Sequence, residues 1–355
     1  MEIITHVSVT RRSKDAADAV AGIQLLKRWA KKALIKTGSL RAAARLSPPA
    51  AVILTYHSVR DEPETDADWI GPGITHATKV FARHMELIAR QFNPVSLEEI
   101  LLFLEGRKKL PRWAVAVTFD DGFLDNLEVA APVLERFSIP AAFYLTVGLM
   151  GQPDAPWYSR VRHAFMTTHC KTWRSSRLHR TWDISDPSAR DSALVGAYEM
   201  CAPLVADTQQ SAVSAIEREL EVESALPRHR FMMNWEEAKA LSSAGHVVGS
   251  HTVTHPNIAH VSQDAALRAE LFESKRQMEE HLHGPVTHFS YPHPALKPQW
   301  SDRTLAMTRE AGYTAAVTTT SGPVRMGANP LLLSRINAPR PDHEFLWNLE
   351  RAFSE

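Results

Sequence analysis

Three short runs of the chain are apolar almost without interruption: 51-AVILTYHSV-59, 114-AVAVTF-119 and 140-PAAFYLTVG-148. Runs of that length predict strands of a parallel sheet, buried on both faces. Between and after them apolar residues recur at helical spacing, which predicts helices over about 77–92, 96–104 and 124–137. The same alternation returns near the C-terminal end. Helices are expected over 235–244, 263–282 and 301–311, with strands over 246–250, 286–291 and 313–319. Strands alternating with helices argue for βα units and a parallel sheet. From about Met150 to Met233 that rhythm stops, and a structureless stretch of such length would be unusual, so residues 151–233 read as a mostly helical insertion.

Ahead of the first strand, residues 17–35 carry Ile23, Leu26, Trp29, Ala30 and Leu34 at helical spacing among lysines. From Arg11 to Arg45 there are ten Lys and Arg against Asp15 and Asp18, which makes residues 1–50 a basic helical arm. Such a helix packs on the body with a solvated basic face, or draws the protein to an anionic membrane surface. The rest of the chain offsets it: 40 basic and 40 acidic residues leave no global field that would recommend nucleic acid. A length of 355 residues and 44% hydrophobic content suit one large α/β barrel or two modest domains. Cys170 and Cys201 have neither a disulfide framework nor metal-ligand spacing and point to a reducing compartment. With no signal-like start and no long apolar segment, the sequence reads as soluble and cytoplasmic, with peripheral contact at the inner membrane face through the arm.

The strand 114–119 ends on Asp120-Asp121-Gly122. In parallel α/β sheets the chemistry collects where strands end, and adjacent carboxylates can divide the work, one ligating a cation and one acting as base. Asp-Gly is equally a common turn. What shifts the balance is 249-GSHTVTHPN-257, where a second small-residue strand ends on His251 and His255. Two imidazoles and one carboxylate form a set that leaves coordination positions open, as a catalytic zinc requires. Alone, that spacing is weak in a chain with 17 histidines.

Taken together, 118-TFDDG-122 and 250-SHTVTH-255 resemble the polysaccharide deacetylase family, the NodB-homology carbohydrate esterases, over roughly Val52 to Ile336 outside the insertion. The resemblance implies a distorted (β/α) barrel over residues 51–350, a divalent metal, most often Zn2+, and removal of N-acetyl groups from an amino-sugar glycan or a lipid-linked N-acetylhexosamine. Carried over residue by residue, Asp121, His251 and His255 hold the metal and Asp120 is the general base. Where many members read Arg-x-Pro-Tyr-Gly this chain has 289-FSYPHP-294, with Ser290 in the arginine position; Tyr291, Pro292 and His293 fall where substrate and oxyanion are met. The family's late Leu-x-His, the usual acid, aligns with Leu333-Ser334-Arg335, and an arginine cannot give up a proton near neutral pH. His57, in 55-TYHS-58, resembles the branch that includes poly-N-acetylglucosamine deacetylases, which supplies the acid from the first strand. Arg335 is left beside the substrate. Trp235 and the tract 157-WYSRVRHAF-165 are candidates for sugar contact or for local core. A metal-dependent amidohydrolase of non-sugar amides, and a barrel that binds carbohydrate without catalysis, are the alternatives.

Overall fold

The structure is a computed structural model that describes residue 29 and residues 31–61, 67–223, 226–292 and 295–354. Contacts divide the chain into a large unit, 49–338, and a smaller one formed by 1–48 and 339–355. In the large unit six parallel staves run in the order β1 (Ala50–Tyr56), β2 (Ala114–Phe119), β3 (Ala141–Leu145), β4 (Val247–Ser250), β5 (His288–Ser290) and β6 (Ala315–Val317). The curled sheet is completed by the extended segment ending in β7 (Ile336–Asn337). Leu333 bridges Val317 of β6, and Ile336 pairs with Leu54 of β1. This is the expected distorted (β/α) barrel, an α/β fold.

The three apolar runs do become staves, and their burial explains their composition. β1, β2 and β3 are buried at every position. Ala51, Ile53, Ala114, Ala116 and Ala142 pack on one side with Val95, Leu97 and Ile100. Tyr56, Phe119 and Phe143 stack on one another across the neighbouring strands, with ring centres 5.6 and 4.8 Å apart. The run 51–59 is not one strand, however: it stops at Tyr56, and a second short strand, Ser58–Arg60, pairs with Thr75–Ala77. His57 sits at the break.

The helices between staves start where their sequences supply caps. Ser96 and Glu99, Asn234 and Glu237, and Ser301 and Thr304 each exchange side-chain and backbone hydrogen bonds at a helix N-terminus. The helix expected over 124–137 opens as a wide turn at Asn126–Ala130 before Ala131–Arg136 continues it, and a similar wide turn, Ala269–Glu273, interrupts the one over 263–282. Such turns push a helix face sideways and are frequent beside functional sites.

The insertion is mostly helical, with helices Trp157–Thr167, Pro187–Cys201 and Ala206–Glu219. It also holds an antiparallel hairpin, Thr172–Ser175 with Arg180–Asp183, in which Trp173 and Trp182 face each other and stack at 4.6 Å. With Val161, Phe165, Val213 and Ile216 these tryptophans form a core of the insertion's own. Cys201 lies in that core, and burial pushes its thiol up to about 12. In the small unit a helix over Asp342–Ser354 presents Glu350 to Arg41 at 2.7 Å. Most of the basic arm, 1–28, lies outside the described residues.

Candidate active site

The C-terminal ends of β1, β2, β4 and β5 face one cleft of about 430 Å³, lined among others by His57, Asp120, Asp121, His251, His255 and Tyr291. β2 stops because the chain turns hard: Asp121 (φ 76°) and Gly122 (φ 89°) are both left-handed. Gly122 is needed there, since a Cβ would lie 3.1 Å from the Leu145 side chain. The turn separates the two aspartates.

Asp120 is almost fully buried and both its oxygens are taken by one arginine. Arg335 donates from Nη1 to Oδ1 at 2.8 Å and from Nη2 to Oδ2 at 2.7 Å. The same guanidinium donates to Thr118 Oγ1 at 3.1 Å, to Ser290 Oγ at 3.0 Å and, through Nε, to the Thr318 carbonyl at 2.9 Å. Burial works to raise the Asp120 carboxyl, but the Arg335 charge and forked hydrogen bonds outweigh it and hold the group below the usual carboxylate range. Arg335 is therefore not a residue that meets substrate. It is buried, it is not among the residues lining the cleft, and it supplies the support that Ser290, standing in the arginine position, cannot.

Asp121 has the opposite surroundings. Its Oδ1 lies 3.5 Å from His251 Nε2 and 3.2 Å from His255 Nε2, yet it is buried and makes no hydrogen bond. A ligand atom from each of Asp121, His251 and His255 falls within 4.8 Å of the others. His251 Nδ1 lies 2.7 Å from the Ser290 carbonyl, and donating to it leaves Nε2 as the lone-pair nitrogen. An unsatisfied carboxylate oxygen converging on two imidazole nitrogens is what a divalent cation would complete, so these residues fit a metal. Opposing contributions also set Asp121's carboxyl well below its usual range: burial raises it, and the two histidines beside it more than reverse that.

The loop carrying the histidines is strained and braced. Thr252 (φ 70°) and His255 (φ 58°) are both left-handed, a costly conformation for a β-branched residue. Thr252 Oγ1 accepts the His255 N–H at 3.1 Å. Glu270, from the wide turn at 269–273, accepts both the Val253 and Thr254 N–H groups and the Thr254 hydroxyl, at 2.6 to 2.9 Å. No motif in the sequence pointed to Glu270.

His57 is half-buried at the end of β1, with its carbonyl accepting from Asn126 Nδ2 at 2.6 Å. Asp125 fixes the next residues by accepting the Ser58 hydroxyl at 2.6 Å and the Val59 N–H at 3.1 Å. Burial nevertheless lifts the Asp125 carboxyl to about 6.

The insertion reaches the site as well. Tyr158 donates its hydroxyl to Asp121 Oδ2 at 2.7 Å, and Trp157 Nε1 donates to the His255 carbonyl at 3.1 Å. The tract 157–165 thus touches the candidate metal ligands. Trp235 does not line the cleft; it stacks on His281 at 4.2 Å. In 291–293, Tyr291 spends its N–H on the Val317 carbonyl and Pro292 has none to give. The third residue of that run, His293, lies outside the described residues.

Comparison with known proteins adds an independent reading. Residues 198–316 match the family model of polysaccharide deacetylases, a stretch that includes both histidines but neither aspartate. Among curated proteins, the Bacillus subtilis protein YxkH, named for the same family, is 30% identical over 99 residues, 28% of this chain and 32% of its own length. The aligned part therefore spans about a third of that relative. Three solved structures superpose with a TM-score of 0.55: the Streptococcus pyogenes deacetylase PplD in complex with acetate, IcaB from Ammonifex degensii, and a de-N-acetylase from Aggregatibacter actinomycetemcomitans. They cover 84, 85 and 85% of this chain and 97, 97 and 100% of their own, at 19, 19 and 15% identity. At that identity the likeness is one of fold.

Proposed function

We propose that this chain, which carries a polysaccharide deacetylase domain, is a metal-dependent hydrolase that removes N-acetyl groups from an amino-sugar glycan or lipid-linked N-acetylhexosamine. The observation that carries the reading is the convergence of Asp121, His251 and His255 beside an Asp120 that is separately held.

Asp121, His251 and His255 would hold a divalent ion, zinc by the nature of the donors. A divalent ion held there would supply Lewis acidity toward the acetamide carbonyl and would make a water easier to deprotonate near neutral pH. Asp120 takes that proton: Arg335 keeps it ionised and points its carboxylate. An amine leaves only once protonated, and His57, across the same cleft, gives it that proton. Asn126 anchors the His57 carbonyl and Asp125 anchors Ser58 and Val59 just after it, so the ring has a fixed base from which to act.

The test is metal content measured together with acetate release from chitooligosaccharides, lipid-linked N-acetylhexosamine and peptidoglycan fragments. Absence of acetate from all of them with metal bound rejects the sugar deacetylase. A His57→Ala protein that binds metal and keeps near-normal turnover removes His57 as the acid. No helix among the described residues is long and apolar enough to cross a membrane. We assign the basic arm a peripheral contact with an anionic membrane, since Trp29 and Leu34 are exposed among Lys31, Lys32 and Lys36. Equal flotation of the full chain and a chain lacking residues 1–46 with anionic liposomes would refute that.

A further inference from the structure

The wide turn at 269–273 touches the loop of the two histidines without lining the cleft. Every N–H group from Thr252 to His255 has an acceptor. Thr252 donates to Ser250 Oγ at 3.4 Å and His255 to Thr252 Oγ1 at 3.1 Å, while those of Val253 and Thr254 both reach Oε2 of Glu270, at 2.8 and 2.9 Å. Its Oε1 accepts the Thr254 hydroxyl at 2.6 Å. The other edge of the loop is gripped by the turn after β3. There the Thr252 and Val253 carbonyls accept from Val147 and Gly148 at 3.1 and 3.0 Å, and a Cβ on Gly148 would lie 2.6 Å from the Val253 oxygen. That edge is backbone against backbone, whereas the 253–254 edge hangs on one side chain.

The same turn also reaches the start of the loop. Ser274 Oγ accepts from Ser250 Oγ at 2.9 Å and bonds back to the Glu270 and Leu271 carbonyls at 2.7 and 3.1 Å. Ser250 directly precedes His251 and Thr254 directly precedes His255, so one turn holds the residue before each histidine. Glu270 is buried, and among the described residues no cation pairs with it. Burial raises its carboxyl against the pull of those hydrogen bonds. A buried acid is a costly bracket, and so are the left-handed Thr252 and His255, which persist only where their surroundings over-determine the backbone. We infer that Glu270 is a positioning residue for the metal: by fixing the 253–254 backbone it holds His255, and through Ser274 and Ser250 its turn holds His251, at the spacing in which both meet one ion. The inference rests on the metal-dependent reading of the site.

The test uses the full-length protein, with zinc affinity from chelator competition, the visible spectrum of the cobalt(II)-loaded form and acetate release from chitooligosaccharides. Glu270→Ala lowers zinc affinity about 10- to 100-fold, the scale of losing a group that orients a ligand, and alters the cobalt spectrum, which reads ligand geometry without turnover. Glu270→Gln recovers most of the affinity, since its amide oxygen still accepts the two N–H groups and its NH2 can donate to the Thr254 hydroxyl. Thr254→Val keeps the side-chain shape, removes only the hydroxyl given to Glu270 and lowers affinity about threefold, the scale of one hydrogen bond. A Glu270→Ala protein with parental zinc affinity and cobalt spectrum but a lower urea midpoint overturns the inference, as does a Glu270→Gln protein as weak as Glu270→Ala. Where Glu270→Ala does not fold, parental affinity in Thr254→Val overturns it. Zinc binding without acetate release retires the deacetylase and leaves the affinity series to judge Glu270; acetate release with parental affinity in Glu270→Ala retires the role of Glu270 alone.

Discussion

Both oxygens of Asp120 are taken by Arg335, at 2.8 and 2.7 Å, whereas Oδ1 of Asp121, one residue on, faces two imidazoles without a hydrogen bond. The two carboxylates are equally buried. Burial of an ion is costly in either case, so the difference lies in what compensates it. Around Asp120 the protein supplies the opposite charge itself, which suits a group that must stay ionised and aimed. Around Asp121 Oδ1 no such partner is supplied, which suits the proposed metal ligand.

The contrast predicts different responses to substitution. The largest is expected for Asp121→Asn, which should lose bound metal and at least about a thousandfold in kcat/KM. In chelator its melting temperature should match or exceed that of the parent protein. Arg335→Met should destabilise by about 3–5 kcal/mol in urea titrations with metal or with chelator, because it strands the Asp120 charge in either state. Arg335→Lys keeps the charge and loses the fork, so it should recover stability better than turnover. If chelator erased the Arg335→Met defect, the two carboxylates would not be independently held.

Asp125 falls between these cases, since it accepts hydrogen bonds from Ser58 and Val59 yet its carboxyl is raised from 3.8 to about 6. A raised carboxyl means that the folded state holds the proton more tightly. Its stabilising contribution is thus full below about pH 4 and lost as pH rises through 6. Relative to Asp125→Asn, the parent protein should lose roughly 2–3 kcal/mol across that window, and a gain would reverse the assignment. The smallest effect is expected for Tyr158→Phe. Without the hydroxyl on Asp121 Oδ2, zinc affinity measured by chelator competition should fall about 10- to 100-fold. A protein with unchanged affinity but lower stability would make Tyr158 merely structural.

How much of this could be read from sequence depended on distance along the chain. The stave 114–119 was readable to the residue because five of its six positions are apolar and the sixth is the β-branched Thr118, and the pairing of Asp120-Asp121 with His251 and His255 was readable because each pair follows its own apolar run. Arg335 stands 215 residues from its partner in a segment with no periodicity, so its type could be noted but its task could not. The hairpin at 172–183 stayed hidden for a different reason. Only Trp173 and Trp182 mark its buried side with large apolar groups, and the residues between them are polar apart from Leu178. Tyr158 carried a faint signal as part of an aromatic tract, but nothing in the tract says that it faces a carboxylate.

The residue that grips Asp120 belongs to the segment that completes the barrel: Arg335 lies between Leu333, bridged to β6, and Ile336, paired with β1. During synthesis on the ribosome, both aspartates and both histidines emerge well before it. A nascent chain can therefore hold Asp120, Asp121, His251 and His255 before the residue that grips Asp120 has been made. The clamp on Asp120 thus forms only with the segment that closes the barrel.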